Sequence, residues 1–197
     1  MPWLDQGRTL VSDVTQKRYQ VTSERVARGG FGEVYRGIAL SARRRAELDV
    51  ALKVSLNPLT WHAEAYFGRL LSGHPRVVPM LDAFPLVDGV GRARRVKYVL
   101  VFPWMDEGTI DDVLAVPPRP WREHGVVREV SALLDVLALL HGRGICHGDI
   151  TPRNLFVQGG RVLLGDLGIA KQALGDRPIE LPGRTPKVFA PRDVYPF

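Results

Sequence analysis

At 197 residues, 45% of them hydrophobic and 24% charged, the chain holds enough apolar material for a sizeable core and lacks the composition of a disordered segment. Its formal net charge of +6 raises the question of nucleic acid, but the basic residues are dispersed among acids and are not interleaved with aromatics, which argues against such a partner. A single cysteine, Cys146, excludes an intrachain disulfide and a multi-cysteine zinc site, and no apolar run approaches the roughly 20 residues that cross a membrane, so the expected setting is cytoplasmic.

In chain order, residues 19–27, 33–40 and 49–55 are rich in Val, Tyr and Leu and are separated by Gly-rich or charged turns, which predicts antiparallel strands. Arg43, Arg44 and Arg45 fall between two of them, where a connecting loop presents them to water. Between Pro58 and Ser72, Ala63, Tyr66, Phe67 and Leu70 recur at i, i+3, i+4 and i+7, predicting a helix with one apolar face against a sheet, ended by Gly73 and Pro75. Residues 77–86 and 96–102 again read as strands, and 103–108 reads as a connector. From Val126 to His141, Val130, Leu133, Leu134, Leu137 and Leu140 form a broad apolar surface, which predicts a helix buried within a second lobe. The chain from Gly142 is rich in loops, with short strands expected at 155–157 and 161–165 before a Pro-containing tail.

Four segments carry chemistry. Ala27-Arg28-Gly29-Gly30-Phe31-Gly32-Glu33-Val34 lies between two predicted strands, where glycines allow backbone amides to approach a phosphate; a plain Gly-rich hairpin has the same composition. Strand alternation sends Ala51 and Lys53 to one face, either toward a cleft or, for Lys53, outward to water. Glu64 is the only acidic residue between Lys53 and Asp82, so a helix carboxylate that orients Lys53 would be this one; the alternative is an exposed charge. Last come His147-Gly148-Asp149-Ile150-Thr151-Pro152-Arg153-Asn154 and, beyond a predicted hairpin, Asp166-Leu167-Gly168.

In this order, the segments resemble those of the eukaryotic-type (bacterial-like) serine/threonine protein kinases, with the catalytic loop H-R-D-x-x-x-x-N and the metal-binding D-F-G. The resemblance implies an α+β, bilobal protein-kinase-like fold: an N-lobe over 1–102 of antiparallel sheet plus one helix, a hinge at 103–108, and a mainly helical C-lobe over 109–197 truncated after its activation segment. It also implies transfer of the ATP γ-phosphate to Ser/Thr hydroxyls of a protein substrate with Mg²⁺. Asp149, Lys53 and Glu64 are then catalytic: Asp149 accepts or orients the hydroxyl proton, Lys53 holds the α- and β-phosphates, and Glu64 fixes Lys53. Asn154 and Asp166 supply oxygen to the metal. ATP is expected against Ala27, Gly29, Gly30, Phe31, Gly32 and Val34 of the Gly-rich loop, against Ala51 and Lys53, at Phe102 in the gatekeeper position, along Pro103 and Met105, and beside Phe156, which sandwiches the base with Ala51 and Val34. His147 organises the loop, and Cys146 is a small buried hydrophobe.

The pattern departs from the family at several places. Ala27 stands at the first glycine, Gly148 replaces an arginine that reads a phosphate on the activation segment, and Thr151 replaces a lysine near the transferred phosphate. In the tail, Arg192 replaces a glutamate, and Thr185 reads as a substrate-loop anchor or an autophosphorylation site. With the following helices missing, a homodimer, another partner or a continuation of the chain would cover apolar surface on the second lobe. Two other functions fit the same residues. One is a nucleotide-binding pseudokinase acting as a regulatory module; the other is a small-molecule phosphotransferase, because His147-Gly148-Asp149 also resembles the catalytic loop of antibiotic and choline phosphotransferases. The Gly-rich loop, Lys53 and the tail favour the protein-kinase branch.

Overall fold

A computed structural model describes residues 2–30, 32–40, 48–89, 94–116 and 121–173; the expectations for Phe31, for Arg43, Arg44 and Arg45, and for Thr185 and Arg192 lie outside the described residues. The chain divides into two compact units. Described residues up to Arg69 together with Pro79–Trp104 form the first, and Leu70–Val78 together with those from Met105 onward form the second.

The first unit is built on a six-stranded sheet of β1 (Thr9–Val11), β2 (Arg18–Gly29), β3 (Gly32–Leu40), β4 (Leu48–Ser55), β5 (Asp82–Asp88) and β6 (Arg95–Pro103). Their order is β1-β2-β3-β4-β6-β5, and every neighbouring pair is antiparallel. Period-two alternation gives β3 and β4 one fully buried face, where Tyr35, Val50, Leu52 and Val54 join Tyr19, Val21, Phe84, Val99 and Val101 in the main core. Leu4 and Leu10 close this core from the N-terminal segment, each only 1% exposed.

Two expectations for this unit change. The strand expected from Val77 begins instead at Asp82, because Val77 and Val78 are engaged in the second unit, where Val77 bridges Leu164 and the Val78 amide donates to the Leu164 carbonyl at 2.9 Å. Pro85 is tolerated inside β5 because that strand sits at the sheet edge and pairs only with β6. The helix α1 (Pro58–Leu70) is present, but it turns inward Glu64, Ala65, Phe67 and Gly68, while Tyr66 and Leu70 are 54% and 47% exposed. The inward stripe is displaced by about one residue from the expected one, because a charged pair with Lys53 draws Glu64 to the inside.

The second unit contains α2 (Ile110–Ala115), α3 (Glu123–Gly142), β7 (Ile145–Cys146), a 3₁₀ turn at Pro152–Asn154, β8 (Leu155–Gln158), β9 (Arg161–Leu164) and β10 (Lys171–Gln172). β8 and β9 form an antiparallel hairpin, and β7 pairs with β10. Thr109 and Asp112 cap α2 reciprocally, each side chain accepting from the other's backbone amide. α3 occurs where expected, but with a different inward face. Glu129, Val136 and Leu140 are buried, whereas Val130 and Leu134 are 50% and 58% exposed. The physical reason is again a buried carboxylate, since Glu129 accepts from the Val162 amide at 3.0 Å, from Arg128 at 2.9 Å and from Arg76. No helix among the described residues is long and apolar enough to cross a membrane. The two units together give the expected α+β class.

Candidate active site

Register alone brings several expected nucleotide contacts onto one face of the first unit. Ala27 lies opposite Val34, Val34 opposite Lys53 and Lys53 opposite Leu100, forming a row across four strands. Two residues along, Ala51 lies opposite Phe102 on the same face. Phe102 packs with Trp61 and Met80 on a small core of Ala65, Ala83 and Leu100, between sheet and helix. Pro103 ends β6 opposite Val50.

Lys53 reaches from this face to α1. Its ammonium lies 2.9 Å from Glu64 Oε1 and 2.8 Å from Oε2, with the two side chains 14% and 4% exposed. Removal from water makes the pair electrostatically stronger than its surface equivalent and also makes each partner dependent on the other. The Gly-rich turn runs close to β4. Gly32 has φ +152, and a Cβ there would lie 2.1 Å from the Val54 carbonyl oxygen, so no larger residue fits that backbone. Gly29 and Gly30 are exposed at the turn.

The second unit gathers its chemical groups into a knot of turns. Asn154 Nδ2 donates to the Asp149 backbone carbonyl at 2.9 Å and to Asp149 Oδ2 at 2.8 Å. His147, 1% exposed, places Nε2 at 2.9 Å from the Gly165 carbonyl, and the Asp149 amide donates to its Nδ1 at 3.3 Å. The Gly165 amide donates to the Asn154 carbonyl at 2.9 Å, closing the loop next to Asp166. Asp166 adopts φ 55, an uncommon backbone for a non-glycine residue, and its Oδ1 accepts from the Gly168 amide at 3.3 Å. The Phe156 ring crosses beneath this loop, within 2.5 Å of where a Gly165 Cβ would stand. Met105 turns into Gly108, whose amide donates to its carbonyl at 3.1 Å.

The donor set suits a hard cation that also binds phosphate. Among the described residues no group of three or more His, Cys, Asp or Glu could hold an ion by itself. Asn154 gives its amide nitrogen to Asp149, and an amide oxygen such as that of Asn154 and a carboxylate such as that of Asp166 are donors of the hard kind such a cation takes. A magnesium ion uses one or two such oxygens and completes its shell with water and substrate phosphate. Cys146 is half-buried, and burial pushes its thiol above the usual range, which disfavours a nucleophilic thiolate.

Sequence reasoning missed three residues that hold these elements. Glu129 and Arg76 fasten α3 to β9, and Arg76 also donates to the Val162 carbonyl at 3.3 Å. Burial opposes ionisation of Glu129, but the bonds from Arg76, the Val162 amide and Arg128 bring its carboxyl down to about 2. Glu33, the third, lies completely buried beside the Gly-rich turn. The only trace of either carboxylate in the sequence is an acid within an otherwise apolar or structured stretch.

Comparison with known proteins agrees with this geometry. Residues 20–194 match the family described as "Protein kinase domain". The chain is 32% identical over 183 residues to "Serine/threonine-protein kinase Pkn1" of Myxococcus xanthus, covering 85% of this chain and 24% of that protein. It is 29% identical over 164 residues to "Serine/threonine-protein kinase PknL" of Mycobacterium tuberculosis, covering 82% and 39%. With "Probable serine/threonine-protein kinase YbdM" of Bacillus subtilis it shares 32% identity over 99 residues, 50% of this chain and 36% of the relative. The chain thus spans well under half the length of these curated relatives.

Proposed function

We propose, since the chain belongs to the protein kinase family, that it transfers the γ-phosphate of ATP to a serine or threonine hydroxyl of a protein substrate. The observation that carries this reading is the knot in which Asn154 grips Asp149 while His147 and Asn154 both bond to Gly165, next to Asp166. The similarity to serine/threonine-protein kinases supports the choice of acceptor.

In this reading residues 1–102 hold the nucleotide, 103–108 form the hinge, and 109–197 carry the transfer chemistry. The Asp149 carboxylate accepts the hydroxyl proton as the acceptor oxygen bonds to the γ-phosphorus. The bond to the β,γ-bridging oxygen breaks, and ADP leaves. Asn154 orients that carboxylate. Lys53, held by Glu64, offsets phosphate charge. Mg²⁺, when bound, neutralises charge that develops on the phosphates; the Asn154 oxygen and Asp166 would hold it. The adenine would lie against Ala27, Val34, Ala51, Phe102, Pro103, Met105 and Phe156, and the phosphates against the backbone of Gly29, Gly30, Phe31 and Gly32.

The exposed stripe of Val127, Val130 and Leu134 on α3 supports a covering surface supplied by a second copy or another partner. Light scattering that gives a concentration-dependent mass would support the homodimer. A cytoplasmic setting is the one in which a lone thiol such as Cys146 is ordinary.

The direct test is incubation with γ-labelled ATP, magnesium, generic protein acceptors and small hydroxylated metabolites. Label is expected in protein Ser or Thr, with Asp149→Ala and Asp166→Ala each reducing incorporation by roughly 10²- to 10⁴-fold. Transfer that survives both substitutions overturns the mechanism. Label confined to metabolites indicates a small-molecule phosphotransferase, and nucleotide-dependent thermal stabilisation without transfer indicates a pseudokinase.

A further inference from the structure

The proposed transfer makes no use of Glu33, although it follows the Gly-rich turn directly. Register places it opposite Val54, on the sheet face away from Lys53. Its side chain has no exposed surface, and donors surround it: the Trp3 amide at 2.9 Å, Arg25 Nη1 at 2.8 Å, Arg28 Nε at 3.8 Å and the Tyr35 hydroxyl. The Tyr35 oxygen in turn accepts from the Trp3 amide at 2.7 Å and the Leu4 amide at 3.1 Å. Lys97 donates to the Trp3 carbonyl, and Leu4 is sunk in the core. Two backbone amides of the N-terminal segment therefore end on one carboxylate–phenol pair at the root of the turn.

The turn has need of such a fixed point. From Arg25 to Gly30, β2 and the turn are exposed, and the β2–β3 register shifts twice, between Val21 and Arg25 and between Arg25 and Ala27. Each shift interrupts the ladder that would otherwise stiffen the hairpin. Burial works against a charged Glu33, but the bonds from Tyr35, the Trp3 amide and Arg25 hold its carboxyl below the usual carboxylate range. Burial and Glu33 together raise the Tyr35 phenol, which keeps it protonated as a donor.

We propose that residues 2–10 form a strap that sets the position of the Gly-rich turn through Glu33 and Tyr35, making Glu33 a positioning residue for the nucleotide. This rests on the kinase reading above. The strap acts from the far side of the sheet, with Leu4 and Leu10 as its apolar anchors. Through β3, its grip on Glu33 reaches Gly32 and Val34, the residues on either side.

The test uses the full chain. Tyr35→Phe deletes the hydroxyl that links Glu33 to Trp3 and Leu4 yet keeps the ring, and Glu33→Gln keeps the shape without the charge. Phe84→Leu, in the same core but on β5, controls for stability alone. Both clamp variants are expected to raise the Kd of a magnesium–ATP analogue about three- to tenfold, as loss of one or two net hydrogen bonds implies. KM for ATP should rise in parallel, with kcat within about twofold of wild type. Without nucleotide, amides over 27–34 should exchange faster in the clamp variants than in wild type. Phe84→Leu should lower Tm and leave Kd and that exchange unchanged. Clamp variants that lose Tm but keep wild-type Kd and exchange overturn the proposal, because Glu33 is then structural only. A wild-type chain that takes up no nucleotide overturns the kinase reading instead, and the exchange over 27–34 alone then decides whether the strap holds the turn.

Discussion

In the first unit, Lys53 and Glu64 meet as side chains, an ammonium on a strand closing on both oxygens of a helix carboxylate. In the second, Asp149 and Asp166 are placed mostly by bonds between a side chain and a backbone group, Asn154 Nδ2 on the Asp149 carbonyl, His147 on the Gly165 carbonyl and the Gly168 amide on Asp166 Oδ1, joined by the Gly165 amide on the Asn154 carbonyl and by Asn154 Nδ2 on Asp149 Oδ2. A side-chain pair depends on charge and is reversible, since it can open without unfolding either element that carries it. A knot whose bonds mostly end on backbone groups is available only when the turns have their native path, so it ties the chemistry of the second unit to that unit's stability. Substitutions should therefore separate function from folding more cleanly in the first unit than in the second.

The largest effect expected from this contrast belongs to Glu129→Ala. It strands the partly buried Arg76 guanidinium and the Val162 amide, and loss of the buried partner of such a charged pair costs up to about 3–5 kcal/mol. Chemical denaturation should show that loss, with transfer falling in the same proportion as folded protein. The pH dependence has a definite sign. Glu129 titrates near 4.5 ordinarily and at about 2 when folded, so its contribution is complete above pH 4.5 and fades as pH falls toward 2. The amount is on the order of 3 kcal/mol. Glu129→Gln should flatten the acid limb of the stability curve over that window; an unchanged limb would place the acid sensitivity elsewhere.

Next in size is Gly165→Ala, with an expected loss of about 1–3 kcal/mol because the Phe156 ring or the loop must give way to a methyl. Displacement of the Gly165 carbonyl would also free His147, so transfer should fall by more than the loss of folded protein explains. A full-rate enzyme with ordinary stability would show that the knot is slacker than its bonds imply. Smaller again is the coupling between Lys53 and Glu64. A double-mutant cycle of Lys53→Met and Glu64→Gln, read by thermal unfolding, should give roughly 0.5–3 kcal/mol. Nucleotide affinity should drop in both single variants while each remains folded, the separation that the first unit allows.

Much of this arrangement was legible as short-range pattern. The strands of the sheet alternate visibly, and the spacing within 147–154 places Asp149 and Asn154 on one compact turn, which the structure brings within 2.8 Å. The inward faces of α1 and α3 were misjudged because hydrophobic periodicity assigns every acid to water, whereas Glu64 and Glu129 are drawn inside by Lys53 and Arg76. The pairing of Glu64 with Lys53 is anticipated from the resemblance without its effect on the inward face of α1, whereas Arg76 lies 53 residues from Glu129, a distance that no helical window spans. The N-terminal strap escaped for a similar reason. β1 has only three residues, too few to show a period, and Leu4 finds its core neighbours through contacts remote in the chain.

The smallest prediction probes how α1, and with it Glu64, is seated. Trp61 Nε1 donates to the Val99 carbonyl at 3.0 Å, and its ring lies 5.3 Å from that of Tyr98. This neutral bond joins the first turns of α1 to β6, independently of the ion pair. Trp61→Phe keeps an aromatic ring but removes the donor, leaving the Val99 carbonyl without that partner, so a loss of about 1 kcal/mol is expected by thermal unfolding. If strand and helix are held together by separable side-chain contacts, the Lys53–Glu64 coupling measured in the Trp61→Phe background should match the wild-type value to within about 0.5 kcal/mol. A coupling that collapses in that background would mean the indole sets the distance between Lys53 and Glu64, and the first unit would then resemble the second in binding its chemistry to its packing.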